Sequence, residues 1–223
     1  GTFSVASVKR ATRRKNPPPP FTTSTMQQEA SRKLNFQSSR VMRVAQELYE
    51  GVNIGAELGG TQGLITYMRT DSLRVSAEAQ TAAAELIRGR YGERYCPETP
   101  RVYKARAGAQ DAHEAIRPAR VEIEPAMVRK SLTPDQYRLY KLIWERFVAS
   151  QMESAELETL TVDLECSGWV FRASGYTVTF PGYMAVYEEA ADDGQRNRRA
   201  DDPEEQRDLR IPPLREGERL PCT

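Results

Sequence analysis

Gly63-Leu64-Ile65-Thr66-Tyr67-Met68-Arg69-Thr70-Asp71-Ser72 is the stretch on which the reading of this chain turns. A short apolar run, Leu64 to Met68, leads into Arg69 and a tail of hydroxyls and one carboxylate. The tyrosine thus stands two residues from an arginine. A phenol gives up its proton only near pH ~10, so at neutral pH it lies about three units, roughly 4 kcal/mol, from being a phenolate. A fixed cation nearby stabilises the phenolate, and also the charge that builds on a phosphate under attack. The chain holds ten tyrosines, and half-buried packing is the ordinary role of any one. Residue chemistry alone therefore leaves Tyr67 as a candidate nucleophile and no more.

On both sides of this stretch the pattern is helical. Upstream, Ser24 with Gln27 three residues later forms a capping-box pattern, and a helix can run to about Leu34. Ser38 or Ser39 opens a second helix, with Val41, Val44, Ala45 and Leu48 on one face and Gly51 as its stop. Joined by a turn at Asn35 and Phe36, the two resemble a helix-turn-helix pair. Arg40 and Arg43 fall on its polar face and could reach phosphates. Gly51 to Gly63 is glycine-rich and is expected to be a loop. Downstream, Ser76 caps a third helix from Ala77 to about Arg90, ended near Gly89 or Gly92. Tyr67 is therefore expected between helices, where a side chain can be held and still remain exposed.

Farther out the periodicity changes. Phe3, Val5 and Val8 suggest a strand over Thr2 to Thr12, and Pro17 to Pro20 then reads as a rigid link into a different domain. Beyond Pro118, Thr133-Pro134-Asp135-Gln136 marks a helix start, followed by an apolar stripe of Tyr140, Ile143, Trp144, Phe147 and Val148 to about Gln151. Leu160, Val162 and Leu164 then alternate with Thr161, Asp163 and Glu165. Two more strands are expected at Trp169–Ala173 and Tyr176–Phe180, separated by Gly175. Ala190 to Asp208 is polar and charged and reads as a mobile surface loop, with Leu209 to Leu220 a possible final strand. The expected fold class is α+β and multi-domain. A helical domain over residues 19–124 is inserted into a β-rich domain built from residues 1–18 and 125–223.

A second motif is Gln110-Asp111-Ala112-His113-Glu114-Ala115-Ile116-Arg117-Pro118, which contains the only histidine. A third is Pro19-Pro20-Phe21-Thr22-Thr23-Ser24-Thr25-Met26-Gln27-Gln28-Glu29-Ala30. In this order the three segments closely resemble motifs of bacterial DNA topoisomerase I, the type IA DNA topoisomerases, and the similarity extends over most of residues 17 to 187.

That resemblance implies a mechanism. Tyr67 would attack a phosphodiester of single-stranded DNA and become joined to a 5′-phosphate, allowing strand passage without ATP. Arg69 would neutralise the phosphoryl charge, and His113 would lie near the scissile phosphate as a hydrogen-bond donor or as a support for a neighbouring acid. Arg117 could contact phosphate, or pair with Glu114 or Asp111. Asp71 could orient Arg69 or cap local backbone, and Thr66 and Thr70 could bond phosphate or backbone. The resemblance also implies a β-rich arch or gate carrying the helical domain. In the family an N-terminal Toprim domain supplies an acidic cluster for Mg2+ and a lysine for the leaving group. No Asp-x-Asp-x-Glu cluster of that type occurs in this sequence. The expectation is a central piece of a longer enzyme, a monomer, unable to relax supercoiled DNA by itself. Magnesium would be bound by other domains of the same polypeptide, and no metal by this chain.

Composition bounds the alternatives. Net charge is +1 with 28% charged residues, so there is no global pull toward nucleic acid. The early residues are nevertheless basic, with Lys9, Arg10, Arg13, Arg14, Lys15, Arg32, Lys33 and Arg40 against Glu29 alone. Cys96, Cys166 and Cys222 have neither zinc-site nor disulfide-framework spacing, which suits a cytoplasmic protein; association with the nucleoid is what the resemblance implies. No apolar run reaches the ~20 residues of a membrane span, so no membrane is expected as a partner. The competing readings are a helix-turn-helix DNA-binding module without catalysis and a purely structural interaction domain. Neither accounts for Tyr67 and Arg69 beside one another, or for His113.

Overall fold

The computed structural model describes residues 2–103, 113–188 and 214–221. The polar stretch 190–208 and Asp111 lie outside the described residues. The chain divides into two compact units. One draws its described residues from 2–16, 154–181 and 214–221, and the other from 17–103, 113–153 and 182–188. The architecture is α+β, with the helical unit inserted into the sheet unit along the sequence.

The first unit is an antiparallel sheet of β1 (Thr2–Lys15), β4 (Ala155–Cys166), β5 (Trp169–Phe180) and β6 (Arg219–Pro221), in the order β5-β4-β1-β6. Alternation places Val5, Leu160 and Val162 on one buried face, with Val8, Leu164, Leu214 and Leu220 packed against them. β4 and β5 are joined through Ser167 (φ 52°) and Gly168 (φ 79°). Two positive φ values in a two-residue hairpin match the right-handed twist of the strands they connect. Gly175 does not break β5 into two strands. It pairs with Leu160 inside a continuous ladder, because pairing to β4 on both sides carries the backbone through. β1 also outruns its expected end at Thr12, since Arg13, Arg14 and Lys15 still find partners in Leu157, Glu156 and Ala155.

The second unit begins at the prolines. Pro17 and Pro20 are buried, and the Arg146 guanidinium donates to the Pro19 carbonyl at 2.6 Å. The proline run is thus part of the helical unit and not a free spacer. α1 (Thr23–Leu34) is capped by Thr22, whose hydroxyl accepts from the Thr25 amide while the Thr25 hydroxyl accepts from the Thr22 amide. The capping box therefore sits two residues before the Ser24–Gln27 pair that the sequence suggested. Asn35 ends the helix in the left-handed region. α2 (Ser38–Glu50) buries Val41, Val44, Ala45 and Leu48, the face its periodicity predicts. The glycine-rich stretch after it is more ordered than a plain loop: β2 (Val52–Asn53) pairs with β3 (Thr61–Gln62) around a single 3-10 turn at Ala56–Leu58. α3 (Ala77–Tyr91) starts on Ser76 and stops at Gly92.

After α4 (Pro125–Val128) comes α5 (Pro134–Gln151), opened by a Thr133/Gln136 capping box. α5 is the core of this unit and touches α1, α2, α3 and α4. The Tyr140 hydroxyl donates to the Ile123 carbonyl at 2.6 Å and the Trp144 indole to the Val121 carbonyl at 2.8 Å. The compact unit accordingly runs to Glu153 and not to residue 124, because the apolar stripe of α5 is buried among helices. Residues 182–188 return to the same unit. There the buried Tyr187 hydroxyl donates to the Glu29 carboxylate at 2.8 Å and accepts from Arg146.

Candidate active site

Residues 63–72 form no helix or strand of their own, yet backbone groups of Leu64, Thr66, Met68 and Thr70 are bonded to neighbouring segments. The Leu64 amide donates to the Leu48 carbonyl at the end of α2, at 2.7 Å. The Leu64 carbonyl accepts from the Ala119 amide, and Ile65 bridges Pro118 antiparallel. The Thr66 amide donates to the Arg117 carbonyl at 2.9 Å. Ile116 in turn bridges Phe21, and the Ala115 amide donates to the Arg74 carbonyl. On the other side, the Thr23 hydroxyl donates to the Met68 carbonyl at 2.7 Å and accepts from the Thr70 amide at 2.9 Å. The three separated motifs, near 21, 67 and 116, are therefore bonded to one another directly.

Burial sorts the side chains. Leu64, Ile65 and Met68 are buried, which anchors the segment by about 1.5–3 kcal/mol for each apolar side chain. Tyr67 and Arg69 alternate with them and face outward, Tyr67 being 41% exposed. Apolar anchors on both sides of an exposed phenol hold its backbone while leaving its oxygen free to react. Gly63 makes the approach possible. A Cβ at that position would lie 2.5 Å from the Tyr49 carbonyl oxygen, closer than van der Waals radii allow.

Around Tyr67 stand two rings. His113 is exposed, with its ring centroid 6.4 Å from that of Tyr67. Tyr49, from the last turn of α2, meets Tyr67 edge to face at 5.4 Å and 65°. Tyr49 was not singled out from the sequence. Its only signal there is position: it follows Leu48, the last residue of the buried stripe, and so emerges at the edge of that face.

The remaining candidates divide clearly. Thr66 spends its hydroxyl on backbone, donating to the Ala115 carbonyl at 2.7 Å and accepting from the Arg117 amide at 3.0 Å. Thr70 likewise accepts from the Ser72 amide. Arg117 is half-buried and paired with Glu114, at 2.6 and 3.0 Å, and its third nitrogen donates to the Pro118 carbonyl. Of the two roles open to it, this is the ion pair. Arg40 is held by Asp135 through two bonds of 2.8 Å and lies over the Phe36 ring. That pairing lowers the Asp135 carboxyl below its usual range, the hydrogen bond from Arg40 being the main cause. Arg43 pairs with Glu47 one turn on. Both guanidinium groups are thus occupied by acids. Arg69 and Asp71 are exposed, and among the described residues neither makes an ion pair with the other or with anything else.

No group of three or more His, Cys, Asp or Glu side chains among the described residues could hold a metal ion. Among the described residues of the Tyr67 and His113 motifs, the carboxylate and imidazole donors are Asp71, His113 and Glu114, the last already taken by Arg117, a set that does not fit a magnesium ion. No helix among the described residues is long and apolar enough to cross a membrane.

Known proteins give the same picture as the motifs. A family model described as DNA topoisomerase matches residues 1–223. The chain is also similar to full-length topoisomerase I from Thermotoga maritima, with 36% identity and a TM-score of 0.77. The likeness covers 98% of this chain but 32% of that structure, so the chain spans about a third of its relative.

Proposed function

The chain belongs to the type IA DNA topoisomerase family, and on that premise we propose that Tyr67 is the strand-cleaving nucleophile of a topoisomerase of which this chain is one part. The observation that carries the proposal is the exposed Tyr67 phenol, anchored by buried neighbours and beside His113.

The reaction balances without an energy source. The Tyr67 oxygen forms a bond to a phosphorus of single-stranded DNA, and the bond from that phosphorus to the neighbouring 3′ oxygen breaks. The phenol gives up its proton and the departing oxygen takes one, leaving a 3′-hydroxyl and a 5′-phosphotyrosine. One phosphodiester replaces another, so reversal reseals the strand and no ATP is consumed. Arg69, free of any ion pair among the described residues, neutralises charge on the phosphoryl oxygens. His113 donates to a phosphate oxygen or steadies a neighbouring group. The helical unit carries the nucleophile and the sheet unit forms part of the arch.

Type IA enzymes depend on Mg2+, and the poor donor set of the Tyr67 and His113 motifs supports placing its ligands in a separate, Toprim-bearing part of the polypeptide. The whole protein would act as a monomer in the cytoplasm, on nucleoid DNA. This chain alone is expected not to relax supercoiled DNA.

The test mixes the chain with a separately made segment carrying the acidic cluster, magnesium and a labelled single strand. Covalent transfer of label that disappears in Tyr67→Phe is the expected result. Reversible binding that Tyr67→Phe leaves unchanged, with no covalent product, would point instead to a plain DNA-binding module.

A further inference from the structure

We propose that Tyr49 is a positioning residue for Tyr67, setting the direction of its phenol by ring contact. The inference rests on Tyr67 being the nucleophile. It adds a residue that acts through Tyr67 and touches neither DNA nor the reacting atoms.

The argument starts from the freedom of an exposed phenol. The backbone of residues 64–70 is fixed by its bonds to Leu48, Arg117 and Thr23. Those bonds hold the Cα of Tyr67 but not its side-chain torsions. At 41% exposure the ring has solvent on one side, so rotamers compete. In-line attack on phosphorus tolerates little error in direction. Something must therefore select the rotamer, and the aromatic neighbours of the Tyr67 ring among the described residues are His113 and Tyr49.

Of these, Tyr49 is the closer and better oriented. Its centroid lies 5.4 Å away at 65°, inside the range where an aromatic edge meets an aromatic face favourably. His113 is 6.4 Å away and tilted by 33°, a longer contact without the edge-to-face geometry.

The backbone of Tyr49 is firmly placed, and its ring and that of Tyr67 restrict one another by their contact. It sits in the last turn of α2 immediately after Leu48, which is fully buried, and the Leu48 carbonyl receives the Leu64 amide. Its own carbonyl faces Gly63 across the gap that a Cβ would close. The end of α2 and the start of the Tyr67 segment are thus one unit, and Tyr49 transmits the orientation of the helix to the phenol. Tyr49 is also 41% exposed, so its ring contributes little to the core that a substitution would damage. The contact needs the ring and not the hydroxyl, which predicts that phenylalanine serves in its place.

Two measurements test this, one independent of the reaction. In the first, 3-fluorotyrosine is placed at Tyr67 of the chain and its fluorine resonance recorded. Tyr49→Leu is expected to shift and average that resonance, and Tyr49→Phe to leave it near its original position. An unmoved resonance in Tyr49→Leu overturns the proposal whatever Tyr67 does chemically. In the second, single-turnover covalent transfer is measured in the reconstituted mixture. Tyr49→Leu is expected to slow the transfer about three- to tenfold, with strand affinity and unfolding midpoint unchanged and with rescue in Tyr49→Phe. A rate equal to the original, or a loss confined to strand affinity, overturns it. Failure of the Tyr67 reading shows itself separately, as absence of Tyr67-dependent transfer in the unsubstituted chain.

Discussion

The hydroxyl of Thr23, the first residue of α1, donates to the Met68 carbonyl at 2.7 Å while accepting from the Thr70 amide at 2.9 Å. The Thr23 amide donates to the Thr70 carbonyl as well. One threonine thus clamps the backbone on the far side of Tyr67. Thr23→Val preserves the shape and removes the hydroxyl, leaving the Thr70 amide and the Met68 carbonyl without that partner. Unmet backbone groups of this kind cost about 1–3 kcal/mol. The urea midpoint of Thr23→Val should fall accordingly, and Thr23→Ser should restore most of it. An unchanged midpoint in Thr23→Val would show that the clamp contributes nothing to stability.

Gly63 and Gly89 should respond to alanine in opposite directions. A Cβ at Gly63 meets the Tyr49 carbonyl oxygen at 2.5 Å, and that oxygen belongs to backbone that cannot swing aside. Gly63→Ala should cost about 1–3 kcal/mol, as overpacking does. Gly89 lies within α3 with nothing near its missing Cβ, so Gly89→Ala should stabilise by about 0.5–1 kcal/mol. Thermal unfolding of the two variants against the original chain measures both signs.

Arg69 and Arg117 should separate in the salt dependence of strand binding. Each phosphate neutralised on a single strand contributes about 0.7 to the slope of log affinity against log salt. Arg69→Ala should reduce that slope by about one contact. Arg117→Ala should leave it unchanged and instead lower stability, since Arg117 is committed to Glu114 and to the Pro118 carbonyl. A slope reduced in Arg117→Ala would mean that the pair opens to engage phosphate.

Stability should fall in alkali. Burial pushes the Tyr103 phenol up to about 12, against the smaller opposing effects of Arg101 and Arg146. Burial also raises the Tyr140 and Tyr187 phenols. Below pH ~10 both folded and unfolded chains keep these protons, and the folded state loses nothing. Above it the unfolded chain releases them first, so stability declines as pH rises from about 10 through 12, by roughly 2–3 kcal/mol for Tyr103. Urea midpoints measured from pH 8 to 11.5 should be flat and then fall, and Tyr103→Phe should make the fall shallower.

Periodicity carried most of the helices, because burial writes itself into a helix at regular intervals: Val41, Val44, Ala45 and Leu48 are the buried face of α2. Turn chemistry was less legible. Thr22, Ser24 and Thr25 are all competent caps, and the one used, Thr22, adjoins Thr23, which is bonded to Thr70, a residue 47 positions away. The same limit applies to Gly175, whose fate was decided by the neighbouring strand, and to α5, whose stripe does not say which elements will cover it. In the candidate site, the motifs named Tyr67 and His113, whose rings the fold brings to 6.4 Å of one another, but left Thr66 between phosphate and backbone, which the bonds to Ala115 and Arg117 decide. The engagement of Arg40 by Asp135 and the ring of Tyr49 could not be read from the motifs, since both depend on how separate helices end up against one another.

The bonds from Thr66 to Ala115 and Arg117 have a consequence for the order of synthesis. The partners are 49 and 51 residues apart, so the tyrosine is made well before the segment that holds it. At about 5–20 residues per second, roughly three to ten seconds of translation separate the two. During that interval the phenol is present on the nascent chain without its backbone frame. The backbone frame of Tyr67 is therefore completed late, only after residues 115–119 have left the ribosome.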